Sequence, residues 1–408
     1  MKPELYDVVI VGAGPAGCAC AYQLANKGIK IALLEKDEFP RDKICGDALS
    51  PDVINQLRRM NPELLEEFLE KVEKVPVHGI RFVAPNHKFL DIKFSEPDQN
   101  RTAGFIATRV AFDAFMYNQV KDKAGIDTFQ KHKVSDVSHT EDGVFVKTDK
   151  SLFRGKMVVG ADGAHSRVKK YLFQNKVEKN HHCAGLRQYY ENVSGFKESH
   201  IELHFYKDLL PGYFWVFPMA NNRANVGLGM LSNEVGKHNI NLRERLADII
   251  EHHPLIKERF KDAKPMETVK GFGLPLGSKK RSCSGDRYLL LGDAASLIDP
   301  FSGEGIGNAI RSARIAADHI QSAFKEQRFD AKFNMRYDKE LYGKMWNELR
   351  LSRLLQNILK YPAISNFFVN KARKNQSIQL LMTSMLDNNI DIKKELVKPS
   401  FFYKLIFQ

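Results

Sequence analysis

Tyr6-Asp7-Val8-Val9-Ile10-Val11-Gly12-Ala13-Gly14-Pro15-Ala16-Gly17 decides how the rest of this chain is read. Tyr6 to Val11 is a β-branched run, the pattern of a buried parallel strand. The glycines open a helix-forming stretch, Cys18 to Lys27, and Gly28 stands where a left-handed residue would end it. A second apolar strand, Ile29 to Leu34, leads to Glu35. Strand, turn, helix, strand and acid in this order are what a dinucleotide site requires. Gly12 permits the tight turn, Gly14 lets the backbone approach a pyrophosphate, and Gly17 allows close helix–strand packing. The helix start, with Ala16, directs amides and a positive dipole end at phosphate. Glu35, followed by Lys36, would accept hydrogen bonds from ribose hydroxyls, and an acid here favours FAD or NAD over NADP. The bland alternative, a glycine-rich loop of no function, leaves the acid and the flanking elements unexplained.

Working outward, two more strand-to-loop junctions carry the same chemistry. A helix from Val110 to Lys123 precedes short strands at 125–129, 133–140 and 143–148, with Val134 in the second and Glu141-Asp142-Gly143 as a hairpin turn. The run from Lys156 then delivers Asp162-Gly163 at a strand end. Tyr288 to Leu291 delivers Gly292-Asp293, and Pro300-Phe301-Ser302-Gly303-Glu304-Gly305-Ile306 opens a helix from Asn308 to Lys325. Asp162 and Asp293 are placed to accept from cofactor hydroxyls. The helix start near Gly305 would stabilise the negative charge that a reduced flavin develops at its N1/O2 edge.

These three elements together resemble the FAD-dependent class typified by p-hydroxybenzoate hydroxylase. That resemblance implies an α/β fold: a Rossmann-type FAD-binding domain, a β-sheet substrate domain and C-terminal helices. It assigns Arg109, with Phe112-Asp113, to a position near the cofactor, and Arg41 joins it as a candidate contact. One departure is Lys169, where the class has arginine; the charge survives but bidentate geometry does not. Phe39-Pro40-Arg41-Asp42-Lys43-Ile44-Cys45-Gly46-Asp47, Tyr213-x-Trp215-x-Phe217-Pro218 with Gly227-x-Gly229, and the 292–306 segment further resemble the geranylgeranyl reductases over roughly residues 5 to 325. A small departure is Ser312-Ala313 where Ser-Gly is usual.

The implied reaction is saturation of C=C bonds in an isoprenoid lipid by hydride from flavin N5, with FAD held non-covalently. Cys45 and Gly46 would lie near the flavin. The Cys45 thiol either donates a proton or fills space. Tyr213, Trp215 and Phe217 share one strand face and either line an apolar substrate cavity or pack a sheet core. No second dinucleotide motif occurs, so NAD(P)H would dock transiently or a redox protein would deliver electrons. Two rivals remain: an aromatic hydroxylase or halogenase, whose Trp-x-Trp-x-Ile-Pro is only partly echoed by Tyr213 to Pro218, and a non-catalytic flavin-bearing lipid binder.

At 408 residues there is room for two domains. The expected FAD-binding domain is discontinuous, at 1–75, 101–175 and 280–330; residues 76–100 and 176–279 make the substrate domain and 331–408 a helical tail. Lys and Arg total 62 against 49 Asp and Glu, a net charge of +13. That favours phosphate-bearing cofactors or anionic lipid over nucleic acid, for which no motif is present. Five dispersed cysteines form no CxxC pair, and His181-His182-Cys183 lacks ligand spacing, so a metal site is not expected. The odd cysteine count and the want of a long apolar span fit a cytoplasmic protein. Trp346, Leu349, Leu351, Leu354, Leu355, Ile358 and Leu359 recur at helical spacing among Arg350, Arg353 and Lys360. Such a helix covers its own core or rests on the inner face of an anionic membrane.

Overall fold

The structure, a computed structural model, describes residues 2–93, 104–173, 177–196, 200–375 and 379. A six-stranded sheet, ordered 284–285, 288–290, 157–160, 8–11, 31–34, 126–129, forms the centre of the cofactor half. All its pairings are parallel except the edge strand 284–285. Its central strands Val8–Val11, Ile31–Leu34 and Met157–Gly160 are buried at every position, as a sheet covered on both faces requires. Helix Pro15–Leu24 packs beside helix Ile306–Glu326, both starting at the strand ends where glycines cluster.

The first helix begins at Pro15 rather than Cys18, because proline suits the first helical position, where no amide partner exists anyway. It also ends early. Ala25 is the C-cap and Asn26, at φ +60°, takes the left-handed position expected of Gly28. Gly28 is left-handed as well, at φ +71°, but in the loop beyond. The helix expected from Val110 to Lys123 runs over Arg109–Asn118, with the Thr108 hydroxyl accepting from the Ala111 amide.

An eight-stranded sheet makes the other half, ordered 264–265, 182–191, 223–231, 213–219, 200–204, 79–83, 89–93, with 270–275 also on 182–191. Along Tyr213–Met219, Phe214 and Val216 are fully buried against Leu246 and Ile249 of helix Leu242–His252. Period-two alternation therefore turns Tyr213, Trp215 and Phe217 to the opposite face. Helices Ala331–Leu359 and Pro362–Ala372 follow. Residues 94–100 of the expected hairpin, and the tail beyond Gln379, lie outside the described residues. No described helix is long and apolar enough to cross a membrane.

Candidate cofactor and substrate site

The two halves enclose a cavity of about 880 Å³, near the upper end of ligand-pocket sizes. At one end the glycine loop forms its floor. Gly12 is at φ +99°, and a Cβ there would stand 2.5 Å from the Ala161 carbonyl oxygen. A Cβ on Gly17 would fall 1.8 Å from the Gly12 oxygen, so this glycine serves helix–strand packing and does not itself reach the cavity. Gly14 faces open space apart from one Arg41 nitrogen at 3.7 Å. A flat, unobstructed backbone at the start of a helix is what a pyrophosphate needs.

Glu35, at the second strand's end, is buried in the wall. Its Oε2 accepts from the Ala13 amide at 3.0 Å and its Oε1 from the Asp37 amide at 3.1 Å. It therefore braces the glycine loop while presenting its edge to the cavity. Arg41 reaches Glu35 at 3.5 Å and Asp113 at 2.7 Å. Arg109 is fully buried and makes a bidentate pair with Asp113, both contacts at 2.7 Å. One carboxylate thus holds two guanidiniums at the cavity wall. Lys43 pairs with Asp293 at 3.1 Å. Lys36, Val134, Gly163, Gly303, Gly305 and Ile306 also border the space, while Gly292 and Pro300 do not. The Gly292 amide donates to the Ser312 hydroxyl, and the Pro300 carbonyl accepts from Gln356; both positions shape the loop from behind.

Asp162 borders the cavity and also turns back to its own chain. Its Oδ2 accepts from the Arg167 and Val168 amides at 2.6 and 3.3 Å, the first two of helix Arg167–Leu172, whose N-cap is Ser166. Its Oδ1 is buried with no hydrogen-bond partner, and burial pushes the carboxyl up from its ordinary value. An orphaned acceptor beside an open glycine cradle fits a cofactor that brings its own donors. Ribose or ribityl hydroxyls are such donors, and the residues present suit FAD.

Cys45 and Gly46 sit in a clamped loop. Asp47, at φ +64° and fully buried, accepts from Tyr189 at 2.5 Å and from Asn225 at 2.9 Å. Asn225 also donates to the Cys45 carbonyl at 2.8 Å and accepts from Trp215 Nε1 at 3.0 Å. Burial pushes Asp47 up to about 6 and raises the Cys45 thiol. Tyr213, Trp215 and Phe217 project into the cavity, and the Tyr213 hydroxyl donates to the Ser302 carbonyl across it. With Val77, Ile80 and Leu203 they make that wall apolar.

Lys43, Asp52, Glu304 and Arg311 line the same cavity and escaped the sequence reading. Lys43 and Glu304 lie inside segments that carried the resemblance, a signal that could have found them; Asp52 and Arg311 had none. His181 and His182 bond to Ser278 and Ser232, and no group able to hold a metal occurs among the described residues.

A family model described as an FAD binding domain matches residues 5–340. The digeranylgeranylglycerophospholipid reductase of Methanococcus vannielii is 31% identical over 365 residues, covering 87% of this chain and 88% of that one. This chain belongs to the FAD-dependent geranylgeranyl reductase family. A menaquinone reductase of Mycolicibacterium smegmatis is a further relative, 29% identical over 78% of this chain and 76% of its own. Among solved structures, a geranylgeranyl bacteriochlorophyll reductase-like protein from Thermoplasma acidophilum matches with a TM-score of 0.81 at 23% identity, covering 97% of this chain and 99% of that one. At that identity the likeness is one of fold. The family is one of flavoprotein oxidoreductases, with FAD as cofactor.

Proposed function

We propose that this enzyme saturates C=C bonds in an isoprenoid chain carried by a lipid or a quinone. The observation that carries this reading is the continuity of two surfaces, a dinucleotide cradle and an apolar aromatic wall, within one cavity. Bound FAD would supply a hydride from its reduced N5. The chain's own residues then have three tasks. Gly12, Gly14 and the helix starting at Pro15 hold phosphate. Arg41 and Arg109, fixed by Asp113, set the charge along the cofactor. Tyr213, Trp215 and Phe217 exclude water and hold the alkene in near-attack geometry. Electrons would come from NAD(P)H bound transiently or from a redox protein. Among named relatives, one acts on a phospholipid and one on menaquinone, two head groups attached to prenyl chains.

Dithionite-reduced protein, freed of excess dithionite and mixed anaerobically with geranylgeranyl lipids, should return to the oxidised flavin spectrum and yield a product heavier by two hydrogens per turnover. Failure of every prenyl compound to reoxidise the flavin rejects the reading. A C4a-hydroperoxide formed rapidly with oxygen would favour the hydroxylase or halogenase instead.

The C-terminal helices supply a route for such a substrate. Leu351 and Leu355 line the cavity, while Leu354, Tyr361, Ile364 and Phe367 are exposed, at 46%, 53%, 40% and 42%. Arg350, Arg353, Lys360 and Lys371 stand among them. Apolar residues interleaved with cations suit peripheral contact with an anionic membrane. The protein should sediment with phosphatidylglycerol vesicles and not with phosphatidylcholine ones, and Leu354→Glu with Phe367→Glu should lower the bound fraction about tenfold. Equal sedimentation of both proteins would remove the membrane from this account.

A further inference from the structure

The wall facing the aromatic strand is of a different kind. Where helix Ile306–Glu326 begins, Asp52, Glu304, Arg311 and Glu348 border the cavity. Arg311 donates to Asp52 at 2.9 Å and to Glu348 at 3.0 Å, so one guanidinium answers two carboxylates. Glu304 has no ion-pair partner among the described residues; its Oε1 accepts only from the Gly307 amide, at 2.6 Å. Asp52 Oδ2 and Glu304 Oε1 lie 2.6 and 3.1 Å from the point where a Cβ on Gly307 would stand. Two acids therefore crowd one spot that only glycine leaves open, and a single cation, already shared, serves them. Such crowding favours keeping a proton on the unpaired member.

We propose that Glu304 is the acid that supplies the proton in the reduction, an inference that rests on the reductase reading above. The balance is simple. The alkene π bond breaks, and one new C–H bond takes the hydride and its electron pair from the reduced flavin. The other takes the Glu304 proton, so the alkene gains two electrons, the flavin loses two, and Glu304 is left as a carboxylate. Glu304 regains its proton from water at the polar end of the cavity, where Glu348 is partly exposed.

The electrostatics agree with the geometry. Burial and then the Asp52 charge push Glu304 up to about 8, with Asp299 adding to the rise; the Gly307 amide and Arg311 act the other way. Glu348 faces the same spot from helix Ala331–Leu359 but is answered by Arg311. Glu304 is thus neutral at neutral pH yet close to yielding its proton, as a general acid should be. The Cys45 thiol, the other candidate, is raised by burial from an already weak acidity.

Glu304→Gln is nearly isosteric, and its carbonyl still accepts from Gly307. FAD content should match the wild type, and the melting temperature at neutral pH should be no lower, because a neutral amide escapes the ionisation that the fold opposes at Glu304. Pre-reduced Glu304→Gln should be reoxidised by prenyl substrate about 100-fold more slowly or worse. Glu304→Asp should recover part of the rate. The wild-type rate should be level below about pH 8 and fall tenfold per pH unit above it, as the donor ionises; the Gln variant should lack that fall. Independently of any substrate, pH-difference infrared spectra should show a protonated carboxyl band lost near pH 8 in the wild type and absent from Glu304→Gln. Absence of that band in the wild type overturns the assignment whatever the lipid assay shows. Reoxidation of Glu304→Gln at the wild-type rate and pH profile overturns it too, while leaving the reductase reading intact. If no prenyl compound reoxidises wild-type flavin, both fall together.

Discussion

Gly17→Ala should emerge from purification colourless and less stable by about 3 kcal/mol. The added methyl would stand 1.8 Å from the Gly12 carbonyl oxygen, a backbone atom with no flexible way to yield. Relief would need helix Pro15–Leu24 to move off strand Val8–Val11. That helix is buried along most of its length, so movement opens voids beneath Ala19, Cys20 and Leu24. It also carries the amides that face the cofactor, so flavin affinity and fold stability fail together. Urea unfolding and the absorbance of bound flavin measure the two effects. A yellow variant of wild-type stability would show that the glycine loop is looser than its contacts indicate.

Asp113→Ala should cost about 3–5 kcal/mol, the loss expected when one partner of a buried pair is removed. Asp113 and Arg109 are both essentially inaccessible to water, and Arg41 depends on the same carboxylate. The variant leaves two positive charges at the cavity wall, answered in part by Glu35, 3.5 Å from Arg41, and by the Asp47 carboxylate beside Arg109. Asp113→Asn keeps the shape and should lose less. Burial alone would raise the Asp113 carboxyl, but the Arg109 charge and its hydrogen bonds, with Arg41 and Lys43, hold it below the ordinary range. A depressed folded-state value stabilises the protein above the unfolded-state value and is lost as pH falls through the folded one. The wild type should therefore keep its full advantage over Asp113→Asn above about pH 4 and lose it progressively in stronger acid. Chemical denaturation across that range tests the sign; an advantage that grows on acidification would contradict it.

Much of the cofactor half was legible because its determinants are local. A β-branched run, glycines at fixed offsets and an acid at the next strand end are conditions on neighbouring residues. They led to Gly12, Gly14 and Glu35 at the cavity. The helix ends were less legible: Asn26 and Gly28 both accept positive φ, and the chain used the earlier one. Asp162 was legible only in part, since a carboxylate at a strand end can turn to a ligand, back to the next helix, or, with its two oxygens, to both. Here two amides of Arg167 and Val168 claim one of its oxygens.

The sequence by itself determined the nucleotide-binding unit, the parallel strands and the alternation that sets Tyr213, Trp215 and Phe217 apart from Phe214 and Val216. Only the tertiary structure decided which charges meet. Asp113 between Arg41 and Arg109, Lys43 on Asp293, and Asp52 sharing Arg311 with Glu348 join residues up to 259 positions apart. Side-chain periodicity propagates along a backbone, whereas an ion pair depends on where separate elements cross, and no local pattern records that crossing.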